Sequence, residues 1–128
     1  MLFELTIDNQ VYQFNYGFGF LREVQGRVKK KTEGVQGREE NLGLYFLIAG
    51  LEDGNIEDLC DALIAGNKGQ NPRLTRQTLE AYLEDPETDI DEIFRNLLDF
   101  LSTCNCTKKT YQKIQDLIAK QETAGEEA

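Results

Sequence analysis

The stretch Phe3-Glu4-Leu5-Thr6-Ile7-Asp8-Asn9-Gln10-Val11-Tyr12-Gln13-Phe14-Asn15-Tyr16 decides the fold, because its two halves agree about a single point of reversal. Asp8 and Asn9 are residue types that tolerate positive φ, as the tight turn of a two-residue hairpin requires. A turn there pairs Ile7 with Gln10, Leu5 with Tyr12 and Phe3 with Phe14. Side chains alternate across a strand, so Phe3, Leu5 and Ile7 share one face with Tyr12, Phe14 and Tyr16. Glu4, Thr6, Gln13 and Asn15 take the other. A slip of one residue would turn the whole apolar set to water, so turn and register are predicted together. A lone hairpin is marginal in water. Its aromatic face must pack on the rest of the chain.

The rest reads as helix. Phe20, Leu21, Val24 and Val28 form one apolar stripe behind a Gly17-Phe18-Gly19 corner. Leu42–Leu51 is apolar on nearly every side, which predicts a short buried helix stopped at Gly50 or Gly54. Ile56, Leu59, Cys60, Leu63 and Ile64 follow at helical spacing and end at Gly66. Thr75 is placed to cap a helix carrying Leu79, Tyr82 and Leu83. Asp89-Ile90-Asp91-Glu92 fits an acidic capping box, ahead of the stripe Ile90, Ile93, Phe94, Leu97, Leu98 and Leu101. Thr107 or Thr110 begins a last helix with Tyr111, Ile114, Leu117 and Ile118 inward. The charged segment 30–40, with Gly34 and Gly37, reads as a loop. Gln121–Ala128 has no apolar side chain larger than alanine and reads as a flexible C-terminal tail. The expectation is α+β: one domain over residues 1–120, an N-terminal antiparallel β-hairpin packed on a bundle of five or six short α-helices.

Length and charge bound the function. One domain of 128 residues buries roughly two-thirds of the surface of its unfolded chain, so it needs neither metal nor disulfide to fold. No apolar run approaches the roughly 20 residues that cross a bilayer, and no leader pattern follows Met1. The expected location is the cytosol, with the thiols of Cys60, Cys104 and Cys106 reduced. Histidine is absent, which removes Ser-His and Cys-His catalytic pairs and imidazole metal ligands. The formal charge is −9, opposite in sign to a phosphate-backbone binder. Residues 1–51 carry six acidic and six basic side chains, so the whole excess lies beyond them; residues 52–92 alone hold twelve acids against Lys68, Arg73 and Arg76. A small basic cluster (Arg22, Arg27, Lys29, Lys30, Lys31) lies near residue 27.

Candidate motifs fail on their own chemistry. Cys104-Asn105-Cys106 has one-residue spacing, and three thiols without histidine fall short of a four-ligand zinc site. Asp85, Glu87 and Asp89 begin like a calcium loop, but Ile90 stands where the invariant glycine belongs and Asn96 where the bidentate glutamate belongs. Gly17-Phe18-Gly19 and Gly66-Asn67-Lys68-Gly69 lack the remaining glycines and the Lys-Ser/Thr of phosphate loops. No catalytic, metal or cofactor-binding residue is expected. A domain without visible chemistry works by contact.

In order along the chain, several segments are similar to one known family. Tyr12-Gln13-Phe14-Asn15-Tyr16-Gly17-Phe18-Gly19-Phe20-Leu21-Arg22-Glu23 resembles the opening of the tail assembly chaperones of long-tailed phages infecting Gram-positive bacteria. Gly43–Gly54 with Asp58–Ile64 resembles the middle of that family. Leu79–Pro86, Asp91–Phe94 and the Leu97–Leu101 stripe resemble its ending. The resemblance covers about residues 3 to 118, and its specificity lies in the succession of segments.

The resemblance implies a non-enzymatic protein of a phage-infected or prophage-bearing host's cytoplasm, absent from the finished virion. Its expected partners are the tape measure protein, which it keeps soluble, and the major tail protein, which it helps to recruit. In many such phages a ribosomal frameshift makes a longer form, and this chain would be the short one. A client with exposed apolar helix faces calls for an apolar patch, for which Tyr45, Phe46 and Tyr82 are the candidates, with core packing as the competing reading. The unpaired edge of the hairpin offers a route to self-association. The alternative from a different class is a small acidic inhibitor that mimics nucleic acid and binds a host protein.

Overall fold

The structure is a computed structural model that describes residues 2–26, 29–31 and 39–127. Strands β1 (Phe3–Ile7) and β2 (Gln10–Phe14) form the N-terminal hairpin in the expected register: Phe3 opposite Phe14, Leu5 opposite Tyr12, Ile7 opposite Gln10. Asp8 and Asn9 have φ of 51° and 65°. Both turn residues are left-handed, which matches the twist of the two strands. Phe3, Ile7, Phe14 and Tyr16 are buried on the inner face, whereas Glu4 and Thr6 are exposed.

Among the described residues six helices follow: α1 (Phe18–Gln25), α2 (Gly43–Glu52), α3 (Ile56–Asn67), α4 (Arg76–Glu84), α5 (Ile90–Leu101) and α6 (Lys108–Glu127). The protein is α+β, a hairpin against six helices. Between α1 and α2, β3 (Lys29–Lys31) pairs antiparallel with β4 (Glu39–Asn41). The sequence predicted only loop there, because this ladder has no apolar alternation to announce it. Its register sets Lys29 opposite Asn41, Lys30 opposite Glu40 and Lys31 opposite Glu39. Val28, Gly34 and Gly37 lie outside the described residues.

The sequence points to two of the caps, Thr75 and Asp89; Asn55 caps α3 in addition. Asn55, Thr75 and Asp89 each precede a helix, and their side chains accept from the backbone N–H of Asp58, Thr78 and Glu92. Each such cap is worth about 1 kcal/mol. Thr107 is buried ahead of α6 and its hydroxyl donates to the Leu101 carbonyl at 2.6 Å, tying the last helix to the end of α5. Helix α6 continues past Lys120 to Glu127, through the stretch whose composition predicts a flexible tail.

The core is one cluster. It joins Phe3, Phe14 and Tyr16 of the hairpin to Phe20 and Val24 of α1, the Leu44, Leu47, Ile48, Leu51 stripe of α2, and the inner faces of α3 to α6. Helix α2 packs against α1, α3, α5 and α6 and is the centre of the bundle. Glycines allow its closest approaches. A Cβ on Gly43 would fall 1.7 Å from the Val24 carbonyl oxygen, and one on Gly50 the same distance from Oδ2 of Asp58.

Candidate functional site

Helix α2 sorts its side chains by the period of 3.6. Leu44, Leu47, Ile48 and Leu51, at i, i+3, i+4 and i+7, point inward. Tyr45 and Phe46 fall off that row. Tyr45 is half-buried against the core, and Phe46 is 51% exposed. The helix is therefore not buried all round, as its composition suggested. The two rings meet edge to face, with centroids 5.7 Å apart and planes at 88°, a geometry that aromatic quadrupoles favour. Tyr82, the third sequence candidate, lies half-buried on α4. Among the described residues it makes no ring contact with Tyr45 or Phe46. Two of the three candidates are brought together; the third is not.

Phe18 is a surface aromatic outside the candidates that the sequence suggests. It opens α1 and is 65% exposed, the most of any large apolar side chain described. The Arg22 guanidinium sits 5.5 Å from its ring centroid. Its signal was available: Phe18 falls outside the Phe20, Leu21, Val24 row that defines the buried side of α1. Beside it an open cleft of about 400 Å³ runs between Phe18, Phe20, Glu23, Lys68 and Gln70. Lys68 and Glu23 bridge α3 and α1 there at 2.9 Å.

A second open cleft of about 400 Å³ is lined by Tyr16, Phe100, Cys104 and Cys106. Tyr16 donates from its hydroxyl to the Ala62 carbonyl at 3.2 Å, and burial, with Cys104 nearby, pushes its phenol well above the ordinary range. Burial also raises Cys104, with Cys106 adding to it. A reactive thiol needs the opposite shift. Cys60 is buried on α3 and raised for the same primary reason. Among the described residues no three or more Cys, Asp or Glu side chains converge as metal ligands.

Part of the acidic excess is employed in building helices. Glu57 and Asp58 occupy the first turn of α3, and Asp91 and Glu92 that of α5, where negative charge complements the helix dipole. Asp58 is raised by burial first, then by Asp61 and Glu57. Asp61 pairs with Arg76 of α4 at 2.7 Å. In the turn before α5, Asp85 Oδ1 accepts from the Glu87 N–H and Asp89 caps the helix. That explains the carboxylates of the incomplete calcium-loop motif by turn and cap chemistry.

Exposed apolar side chains, Phe18 and Phe46 foremost, thus stand on a charged surface, some of whose acids cap and bridge helices. Residues 4–115 match the family described as phage tail assembly chaperone protein, TAC. The chain belongs to that family. No curated protein and no solved structure gives a significant match. The matched region of this tail assembly chaperone runs from β1 into α6 and takes in Phe18, Tyr45, Phe46 and Tyr82. Among the described residues no helix is long and apolar enough to cross a membrane.

Proposed function

We propose that this tail assembly chaperone binds the tape measure protein, keeps it soluble before assembly and helps bring the major tail protein to it. The role is non-enzymatic, is exercised in the cytoplasm of the host bacterium, and ends before the mature virion. The observation that carries the reading is Phe46: an aromatic side chain at the centre of the bundle's main helix, half exposed and braced edge-on by Tyr45. Burying the exposed half of this ring on a client helix is worth about 1 kcal/mol, and an apolar helix face laid on aromatic anchors is a recurrent mode of helix recognition. Tyr82 on α4 is a further contact in this reading. The acidic exterior keeps the complex soluble and steers a basic client.

The test is co-expression. A very long helical protein encoded beside this chain's gene should be soluble with this chain present and insoluble without it. Phe46→Asp should lose that protection while remaining folded. A client equally soluble with and without the chaperone would end the reading.

A further inference from the structure

The two outer edges of the hairpin differ. Ile7 and Gln10 flank a two-residue turn and exchange hydrogen bonds, and the alternation that follows leaves Glu4 and Thr6 of β1, and Val11 and Gln13 of β2, with backbone groups directed outward. On the β2 side the edge is met at its C-terminal end. The Gln13 carbonyl accepts from Asn67 Nδ2 at 3.0 Å, and the Asn15 N–H donates to the Gly66 carbonyl at 2.8 Å. The C-terminal end of α3 therefore closes that edge beside Gln13 and Asn15, short of Val11. On the β1 side, no described residue bonds the outward N–H and C=O groups of Glu4 or Thr6. Leu5 between them is half-buried, while Phe3 and Ile7 on either side of it are buried. The apolar row of β1 is thus least covered at its middle, along the open edge.

We propose that this edge is a self-association surface, on which β1 pairs antiparallel with β1 of a second copy about a two-fold axis at Leu5, giving a four-stranded sheet. The register follows from hydrogen bonding and charge. With the axis at Leu5, Glu4 stands opposite Thr6 of the second copy and Thr6 opposite its Glu4, so all the outward groups of both strands are used. Leu5 meets its own counterpart in the closer, non-hydrogen-bonded pair and continues the apolar layer beneath. Moving the axis to Glu4 would oppose two carboxylates, and moving it to Thr6 would set Glu4 against Asp8; like charges directly opposite are unfavourable. A second copy is the occupant argued for, because one strand supplies both halves of this complementarity. The inference is independent of any client.

Sedimentation equilibrium of the full chain across micromolar to millimolar concentration tests it, with Thr6→Lys and Thr6→Glu alongside. Thr6 is exposed, so neither change should alter the melting temperature by more than a few degrees, and both folds are checked by that measurement. Two symmetry-related pairs change together, so Thr6→Lys, facing Glu4, should tighten the dimer by roughly 2- to 30-fold, and Thr6→Glu should weaken it by a similar factor. Amide exchange gives a second readout. The N–H groups of Glu4 and Thr6 should be fast in dilute protein and slow where the dimer forms, while that of Leu5, bonded within the hairpin, stays slow throughout. A chain monomeric over the whole range overturns the proposal. So does a dimer indifferent to the charge at position 6, or strand protection that appears only when an extended client peptide is added.

Discussion

Gly66 and Tyr16 touch without a side chain between them: a Cβ built on Gly66 would lie 2.6 Å from Cε1 and Cζ of the Tyr16 ring and 2.8 Å from its oxygen. The hydroxyl of the same ring reaches Ala62 one turn earlier on α3, and its face meets Phe20 edge-on at 4.7 Å. Hairpin, α1 and α3 are locked together at this one tyrosine. Gly66 matters here through close approach; its backbone is helical and would suit any residue.

Gly66→Ala should therefore destabilise the protein although alanine is the better helix former. Overpacking a filled site costs about 1–3 kcal/mol, against a helix-propensity gain of up to about 1 kcal/mol. The expected net loss is about 1–2 kcal/mol, read as a lower denaturant midpoint at unchanged slope. Gly19→Ala is the control. Nothing stands within 4 Å of its Cβ position, so the substitution should be neutral or stabilising by up to about 1 kcal/mol.

Tyr16 also predicts an alkaline limit. Its folded phenol is held above the ordinary value of 10.0 by burial, while the unfolded chain releases the proton near that value. Below about pH 10 both states are protonated and the full stability is present. As pH rises from there through the folded value, the folded state holds more protons than the unfolded one, and stability falls by up to about 1.4 kcal/mol per pH unit for one group. Tyr111 is raised too, by burial and then by Glu52 and Asp99, and contributes with the same sign. Denaturant melts from pH 9 to 11.5 should show the fall, and Tyr16→Phe should flatten it while lowering stability at pH 8 by about 1 kcal/mol for the lost hydrogen bond. An unchanged slope in that variant would show that Tyr16 is not the group responsible.

What was legible in the sequence had a local cause. Asp8-Asn9 and the alternation around it specify turn, register and buried face together, so β1–β2 could be read residue by residue. Helix α5 was equally clear, since Asp89 caps it and Ile93, Phe94, Leu97 and Leu101 all face the core. The close approaches were not legible. Gly43, Gly50 and Gly66 look like helix breakers to a local reading, and only packing of α2 on α1 and of α3 on the hairpin shows what they admit. The β3–β4 ladder escaped because Lys29–Lys31 and Glu39–Asn41 carry no hydrophobic alternation. Of the candidate site, Tyr45 and Phe46 are neighbours in sequence and so in space. Phe18 was visible only by asking which aromatic a helix stripe leaves out, and Tyr82 was grouped with the pair on composition, which carries no information about distance.

Asn67 is the buried polar residue on which the C-terminal end of α3 depends. It is fully buried; Nδ2 donates to the carbonyls of Gln13 and Pro72, and Oδ1 accepts from the Leu74 N–H at 2.6 Å and from Arg73. Asn67→Ala removes the partner of several groups at once, and a buried polar group left unsatisfied costs about 1–3 kcal/mol. The expected loss is about 2–4 kcal/mol. Asn67→Asp keeps the shape and the acceptor but turns the donor toward two carbonyls into a charged oxygen, so at pH 7 it should be no more stable than the alanine variant. Thermal unfolding ranks them. An aspartate variant as stable as the parent would mean that the donated bonds to Gln13 and Pro72 contribute nothing.

Phe46 and Leu47 are adjacent on α2 and face opposite environments, one half exposed and the other 5% exposed. The pair therefore separates surface from core within a single turn of helix. Phe46→Asp gives up the edge-on contact with Tyr45, the buried half of the ring and some helix propensity, a cost of about 1.5–3 kcal/mol, and the chain should keep its fold. Leu47→Asp puts a carboxylate without a partner into the contact of α2 with its neighbours, which costs several kcal/mol and should unfold the domain or lower its midpoint sharply. Circular dichroism melts of the two variants decide the structural half of the question. The functional half is decided by asking whether the folded Phe46→Asp protein still holds its client in solution. Loss of the client with the fold intact assigns the exposed ring to recognition. Retention of the client would move recognition to the other exposed aromatic, Phe18, whose replacement by aspartate at the start of α1 is equally compatible with the fold.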